Sequence, residues 1–193
     1  MNVEDEKGLT RITIEALEQL RIPYMVTGSV ASFIYGEPRV TYDIDIVINP
    51  SSEAFHALLD VLEPHAYVSR EAAMDAFRRR QMFNAIGFET AEKVDLILLR
   101  DRPYSTAAFD RRRRMALKTM SFMVSTPEDS VLSKLSWARR GGSERQLRDV
   151  YGILRNKLAE LDWDYLERWA AELAVSSSLA ELRAQAEQDN KRE

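Results

Sequence analysis

Cysteine is absent from the 193-residue chain, which removes disulfides, thiolate nucleophiles and cysteine zinc sites and is compatible with a cytosol. Histidine is nearly absent. His56 and His65 are the two present, so histidine clusters are absent and any bound metal should be a hard cation held by carboxylates. Long apolar runs are also missing, and the chain starts with the acidic stretch MNVEDEKGLT. No signal peptide, membrane span or membrane partner is expected, and the sequence reads as cytoplasmic and soluble.

The net charge of -4 conceals a strong asymmetry along the chain. Residues 1–70 carry 5 basic and 11 acidic side chains (net -6), residues 71–157 carry 18 and 11 (net +7), and residues 158–193 carry 4 and 9 (net -5). An anionic partner is best sought in the middle third. The Arg111–Arg114 run reads by default as a solvated loop, and alternatively as an electrostatic landing strip for RNA or a polyphosphate.

Periodicity organises the rest. Apolar residues at helical spacing predict a helix over about 4–21, closed by Pro23. Tyr24-Met25-Val26 reads as a strand ending in a tight turn at Thr27-Gly28-Ser29 and followed by a short helix. A strand is expected at 43–48, and a helix capped by Ser51 or Ser52 runs on to Leu62. Residues 70–80 read as a helix, 82–88 and 94–99 as an antiparallel strand pair, and 115–118 with 122–124 as a further hairpin.

From residue 126 the pattern turns helical. Thr126-Pro127-Glu128-Asp129 is a helix start, Gly141-Gly142 its end, and Ser143 a cap for the next helix. A third helix near 163–174 is followed by three serines and a polar helix expected to fray. Trp137, Trp163 and Trp169 are expected to be packing residues. The domain organisation read from this is an α/β core over 1–125 and a helical portion, packed on it, over 126–193.

Asp43 and Asp45 stand out because aspartate is depleted in strands, yet these two sit at i and i+2 of the most strand-like run in the chain. Alternation places both on one face, with Ile44, Ile46 and Ile48 on the other. Two like charges so close repel one another unless a cation neutralises them, and a divalent metal resolves this. Asp95, in Lys93-Val94-Asp95-Leu96, repeats the anomaly in a second strand. If the two strands are neighbours, the three carboxylates converge on a pocket suited to one or two Mg²⁺ ions.

Upstream, Gly28 permits a close turn, and the Ser29 hydroxyl with the free N–H groups of a helix start can hold a phosphate. Arg39 reads as a phosphate clamp or as a partner of Glu37. Lys134 falls at the margin of its helix's apolar stripe, able to reach a cleft or to snorkel. Asp149 lies opposite its helix's apolar face, open to a site or to a surface pairing with Arg145.

The run Gly28-Ser29, thirteen intervening residues short of Asp43-Ile44-Asp45, with a third Asp on a later strand, resembles the polymerase-β-like nucleotidyltransferase superfamily. The fuller pattern, Arg39-Val40-Thr41-Tyr42-Asp43-Ile44-Asp45 with Ser125-Thr126-Pro127-Glu128-Asp129, Lys134 and Arg148-Asp149, is similar to the branch containing AbiEii-type toxins of type IV toxin-antitoxin systems. The likeness covers about residues 24–155. It implies an α+β fold, a nucleotidyltransferase-like mixed β-sheet flanked by helices, with a C-terminal helical portion. It also implies that Ser29 holds the β- and γ-phosphates of a nucleoside triphosphate, and that Asp43 and Asp45 bind Mg²⁺. Asp95 then completes the metal site or accepts the acceptor's proton, Lys134 contacts the triphosphate, and Asp149 lines the same cleft. The helix after Ser29 lacks the arginine of the minimal nucleotidyltransferases.

The activity this implies is Mg²⁺-dependent transfer of NMP from an NTP to a hydroxyl of RNA, protein or a small molecule. One version is a toxin that modifies tRNA and is countered by an antitoxin protein. The competing readings are a nucleotide-binding module with little or no turnover, and a partner-binding protein of the same fold.

Overall fold

The Asp-Ile alternation over residues 43–48 builds the strand at the heart of a seven-stranded sheet. The structure is a computed structural model that describes residues 8–36, 43–89, 92–117 and 119–192. The strands are β1 (Tyr24–Thr27), β2 (Asp43–Ile48), β3 (Ala66–Tyr67), β4 (Met82–Gly87), β5 (Lys93–Leu98), β6 (Arg113–Leu117) and β7 (Met120–Val124). Their order across the sheet is β3-β4-β5-β2-β1-β7-β6. The sheet is mixed. β2 runs antiparallel to β1 and parallel to β5, while β7 runs parallel to β1 and antiparallel to β6.

The chain divides into two compact units. The first holds residues 8–29 and 43–124, hence the whole sheet. One face of that sheet is apolar: Ile44, Ile46, Ile48, Val94, Leu96, Leu98 and Ala85 are all buried. Helices α1 (Leu9–Gln19), α3 (Ser52–Leu62) and α4 (Arg70–Arg79) supply the other half of this core. Phe55 of α3 stacks on Phe77 of α4 at 4.6 Å and meets Phe83 of β4 edge-on at 5.5 Å. Burying such side chains contributes about 1.5–3 kcal/mol each. Ser51 caps α3 by accepting the Ala54 N–H, as its position before the apolar run demands.

The second unit holds residues 30–36 and 125–192. It contains α6 (Pro127–Gly141), α7 (Glu144–Lys157), α8 (Trp163–Glu172) and α9 (Ser176–Asn190), and it takes in most of α2 (Gly28–Tyr35). A boundary drawn at residue 125 in the sequence does not anticipate this early segment. Tyr35 donates to the Ser125 carbonyl at 2.9 Å, and Asn156 to the Gly36 carbonyl at 3.0 Å, so long-range polar bonds tie it in.

Several expectations need correcting. Ser143 makes no side-chain cap bond to α7. The three serines are the first turn of α9, and the helix expected to fray is tied down: Tyr151 donates to Asp189 at 2.6 Å, and Asn190 to the Arg155 carbonyl at 3.3 Å. Arg113 and Arg114 start β6 instead of lying in a loop, and Arg114 reaches Glu18 at 3.0 Å. Trp169 is buried and Trp163 lies under the Arg183 guanidinium at 3.9 Å, but Trp137 is 61% exposed and is not a packing residue. Two elements had no expectation attached, α5 (Pro103–Asp110) and the two-residue β3. Among the described residues no helix is long and apolar enough to cross a membrane.

Candidate active site

Four residues on the sheet face opposite the apolar one form a square across two neighbouring strands. In the parallel pairing of β2 with β5, Asp43 lies opposite Lys93 and Asp45 opposite Asp95. Cross-strand partners and i, i+2 neighbours share a face, so all four project from the same side. Burial grades across the set: Asp43 is exposed, Asp45 half-buried and Asp95 only 7% exposed. The row extends one strand each way, to Thr27 opposite Asp45 and to Asn84 opposite Asp95.

The Gly28-Ser29 turn closes on this square. Gly28, at the junction of β1 and α2, has φ +64°, and a Cβ built there would run into the Asp45 carboxylate. Only glycine gives both the left-handed backbone and the room. Ser29 is buried, and its hydroxyl donates to the Asp43 carbonyl at 3.2 Å, fixing the turn to the head of β2. The structure thus brings Gly28, Ser29, Asp43, Asp45 and Asp95 into one neighbourhood of the first unit.

Lys93 was not singled out in the sequence, although strand alternation puts it on the same face as Asp95. Its ammonium sits 2.9 Å from Asp95 Oδ2. That hydrogen bond raises the Lys93 pKa above the ordinary lysine value, and the nearby negative charges of Asp95, Asp43 and Asp45 add to it against partial burial. The other Asp95 oxygen, Oδ1, is buried with no hydrogen-bond partner among the described residues. No three carboxylate or imidazole side chains among the described residues are gathered closely enough to hold an ion.

Lys134 and Asp149 belong to the second unit, where they hold each other. Lys134 Nζ lies 2.7 Å from Asp149 Oδ2 and 3.1 Å from Gln146 Oε1, and both charged side chains are less than a tenth exposed. Lys134 therefore does not snorkel, and the Asp149 carboxylate is held on a buried lysine rather than lying out on the surface. Breaking such a buried pair by removing one member is costly, because the other charge stays behind. Arg39 lies outside the described residues.

No protein-family model matches the chain, and no curated protein matches it in sequence. Solved structures do match. A nucleotidyltransferase-like protein from Paracoccidioides brasiliensis aligns at TM-score 0.54 and 19% identity over 91% of this chain and 93% of that one. ANT(2″)-Ia in complex with adenylyl-2″-tobramycin aligns at 0.51 and 14% over 96% and 98%. The lincosamide antibiotic adenylyltransferase LnuA, bound to lincomycin, aligns at 0.50 and 16% over 77% and 95%. At these identities the shared property is the fold, a mixed sheet with flanking helices of the nucleotidyltransferase kind.

Proposed function

We propose, with that nucleotidyltransferase fold as the premise, that this chain transfers NMP from a nucleoside triphosphate to a hydroxyl of a small-molecule acceptor. The observation that carries the reading is the contact geometry at Gly28: a glycine turn folded directly onto an aspartate whose strand neighbour is a second, buried aspartate. The small-molecule acceptor is favoured over RNA by two fold neighbours, whose names describe an adenylylated aminoglycoside and a lincosamide adenylyltransferase.

In such a transfer the acceptor oxygen attacks the α-phosphorus, the bond from that phosphorus to the β-phosphate oxygen breaks, and pyrophosphate leaves. Proteins contribute mainly alignment and charge. Ser29 and the N–H groups at the start of α2 hold the leaving phosphates. Asp95, in its buried setting, is the group to take the acceptor's proton or to complete the cation site. The all-oxygen donor set of Asp43, Asp45 and Asp95 suits a hard cation, and the orphaned Oδ1 of Asp95 is a buried acceptor without the partner such an ion provides. Bound there, one or two Mg²⁺ ions neutralise charge developing on the phosphates. On the strength of the sequence resemblance, Arg39, Lys134 and Asp149 enter the proposal as nucleotide-side residues.

Incubation with each α-labelled NTP and a small-molecule extract, beside total RNA and protein, tests this. Label from the α but not the γ position should enter the small-molecule fraction, and Asp43→Ala and Asp45→Ala should abolish it. NTP binding indifferent to both substitutions would sink the proposal. Binding without label transfer would mean a nucleotide-binding module instead. The type IV toxin version requires, in addition, growth arrest on expression that the same substitutions relieve and label that appears in tRNA.

A further inference from the structure

We propose that Lys93 is a built-in counter-cation that occupies the carboxylate set in the metal-free protein and gives it up when a divalent ion binds, so that metal binding is an exchange of one cation for another. This rests on the proposed metal-dependent reading of the same site. Two observations carry it. The lysine stands in the square itself, directly opposite Asp43 and on the same strand face as Asp95. Its ammonium is already at bonding distance from one oxygen of Asp95, the most buried of the three acids, while the other oxygen has no hydrogen-bond partner among the described residues.

The physics favours such an arrangement. Asp45 and Asp95, directly opposite each other on neighbouring strands and with Asp43 two residues along, repel one another where burial of Asp95 limits screening by water. A single ammonium relieves part of that repulsion and keeps the strands in register. Lysine can do this and still leave: its stem is flexible, the charge is a compact point, and a third of the Lys93 side chain is exposed to solvent. A divalent ion bound to the same carboxylates must overcome the ammonium, which lowers its apparent affinity. The released side chain then swings outward along its own stem.

Titration of the full chain with Mn²⁺ in the absence of nucleotide, read by the electron paramagnetic resonance of free Mn²⁺, tests this. Wild type is compared with Lys93→Met, Lys93→Arg and Asp95→Asn, all first shown to be folded by circular dichroism. Removing the competing charge in Lys93→Met should tighten Mn²⁺ binding about threefold, the scale of one partly exposed ion pair. Lys93→Arg should stay near wild type, and Asp95→Asn should weaken binding in either background. A second readout is thermal. Without metal, Lys93→Met should melt below wild type, and saturating Mn²⁺ should raise its Tm by more than it raises that of wild type. Equal or weaker Mn²⁺ affinity in Lys93→Met overturns the exchange while leaving the metal site standing. Failure of both wild type and Lys93→Met to bind Mn²⁺ overturns the exchange and the metal reading together, with NTP binding still open to measurement on its own.

Discussion

At Gly28 the backbone has φ +64°, and any β-carbon would meet the carboxylate of Asp45. Gly28→Ala therefore combines left-handed strain with displacement of a candidate ligand, a cost of about 2–3 kcal/mol. Urea unfolding should show that loss, and Mg-NTP affinity should fall further than the stability loss accounts for. Tyr24 is a second site where one atom decides the outcome. Its hydroxyl donates to Glu18 at 2.7 Å and accepts the Met123 N–H at 3.3 Å. Burial and the Glu18 bond together push its phenol well above the ordinary tyrosine range. Because the folded value lies above the unfolded one, its stabilising contribution is complete below about pH 10 and is lost as pH climbs from there. Tyr24→Phe should cost about 1 kcal/mol at neutral pH and flatten the alkaline fall in stability, measured by denaturant midpoints across pH. At this scale the sequence was informative where a residue type was out of place: two acids in an isoleucine-rich strand, a third in another. Lys93 escaped notice because a lysine at a strand's first position looks like any solvated end.

The helix start at Ser125-Thr126-Pro127-Glu128-Asp129 was legible from its capping chemistry, but its burial was not. Thr126 caps α6 by accepting the Asp129 N–H, and its hydroxyl also donates to Asp129 Oδ2 at 2.8 Å. The hydroxyl of Tyr165 on α8 donates to Asp129 Oδ1 at 2.7 Å, and Glu128 accepts the Asp162 N–H at 3.2 Å. The partners come from the far side of α7, so local pattern gives the cap and says nothing of the hub. Asp129→Ala removes the acceptor of two hydroxyls and should lower the unfolding free energy by about 2–3 kcal/mol, against about 1–2 kcal/mol for Thr126→Ala. Since the two residues share a bond, the double variant should lose clearly less than the sum in equilibrium unfolding, and strict additivity would show that the hub is not a network. The same reasoning explains α9. Its polar sequence has little apolar face, yet Leu179 and Ala186 are buried and Tyr151 anchors its end at Asp189. β3 and α5 went unseen for a different reason: two residues are too few to show alternation, and the residue before Pro103, Arg102, provides no side-chain cap.

Across the whole chain, the split between legible and illegible follows sequence separation. The β4–β5 and β6–β7 pairs join neighbours along the chain and can be read from strand composition and the polar link between them. The central pairings, Asp45 with Asp95 and Val26 with Val124, join distant segments in parallel, and nothing in a local window specifies them. The same distinction bears on how the protein folds. Loop closure must be spent before a distant parallel pair returns any stability, so the sheet's centre is its slow part, while α6 and α7 are adjacent in sequence and in contact. The second unit is not purely local, however, because it also takes residues 30–36 through Tyr35 and Gly36. Pulsed hydrogen exchange during refolding should therefore protect the amides of α6 and α7 first, and those of β1 and β7 last. Tyr35→Phe should leave that early protection unchanged, because α6–α7 contact does not require the bond to Ser125, yet it should speed unfolding of the native state. Early protection of β1 together with β7 would place the long parallel pairing in the nucleus and reverse the order argued from topology.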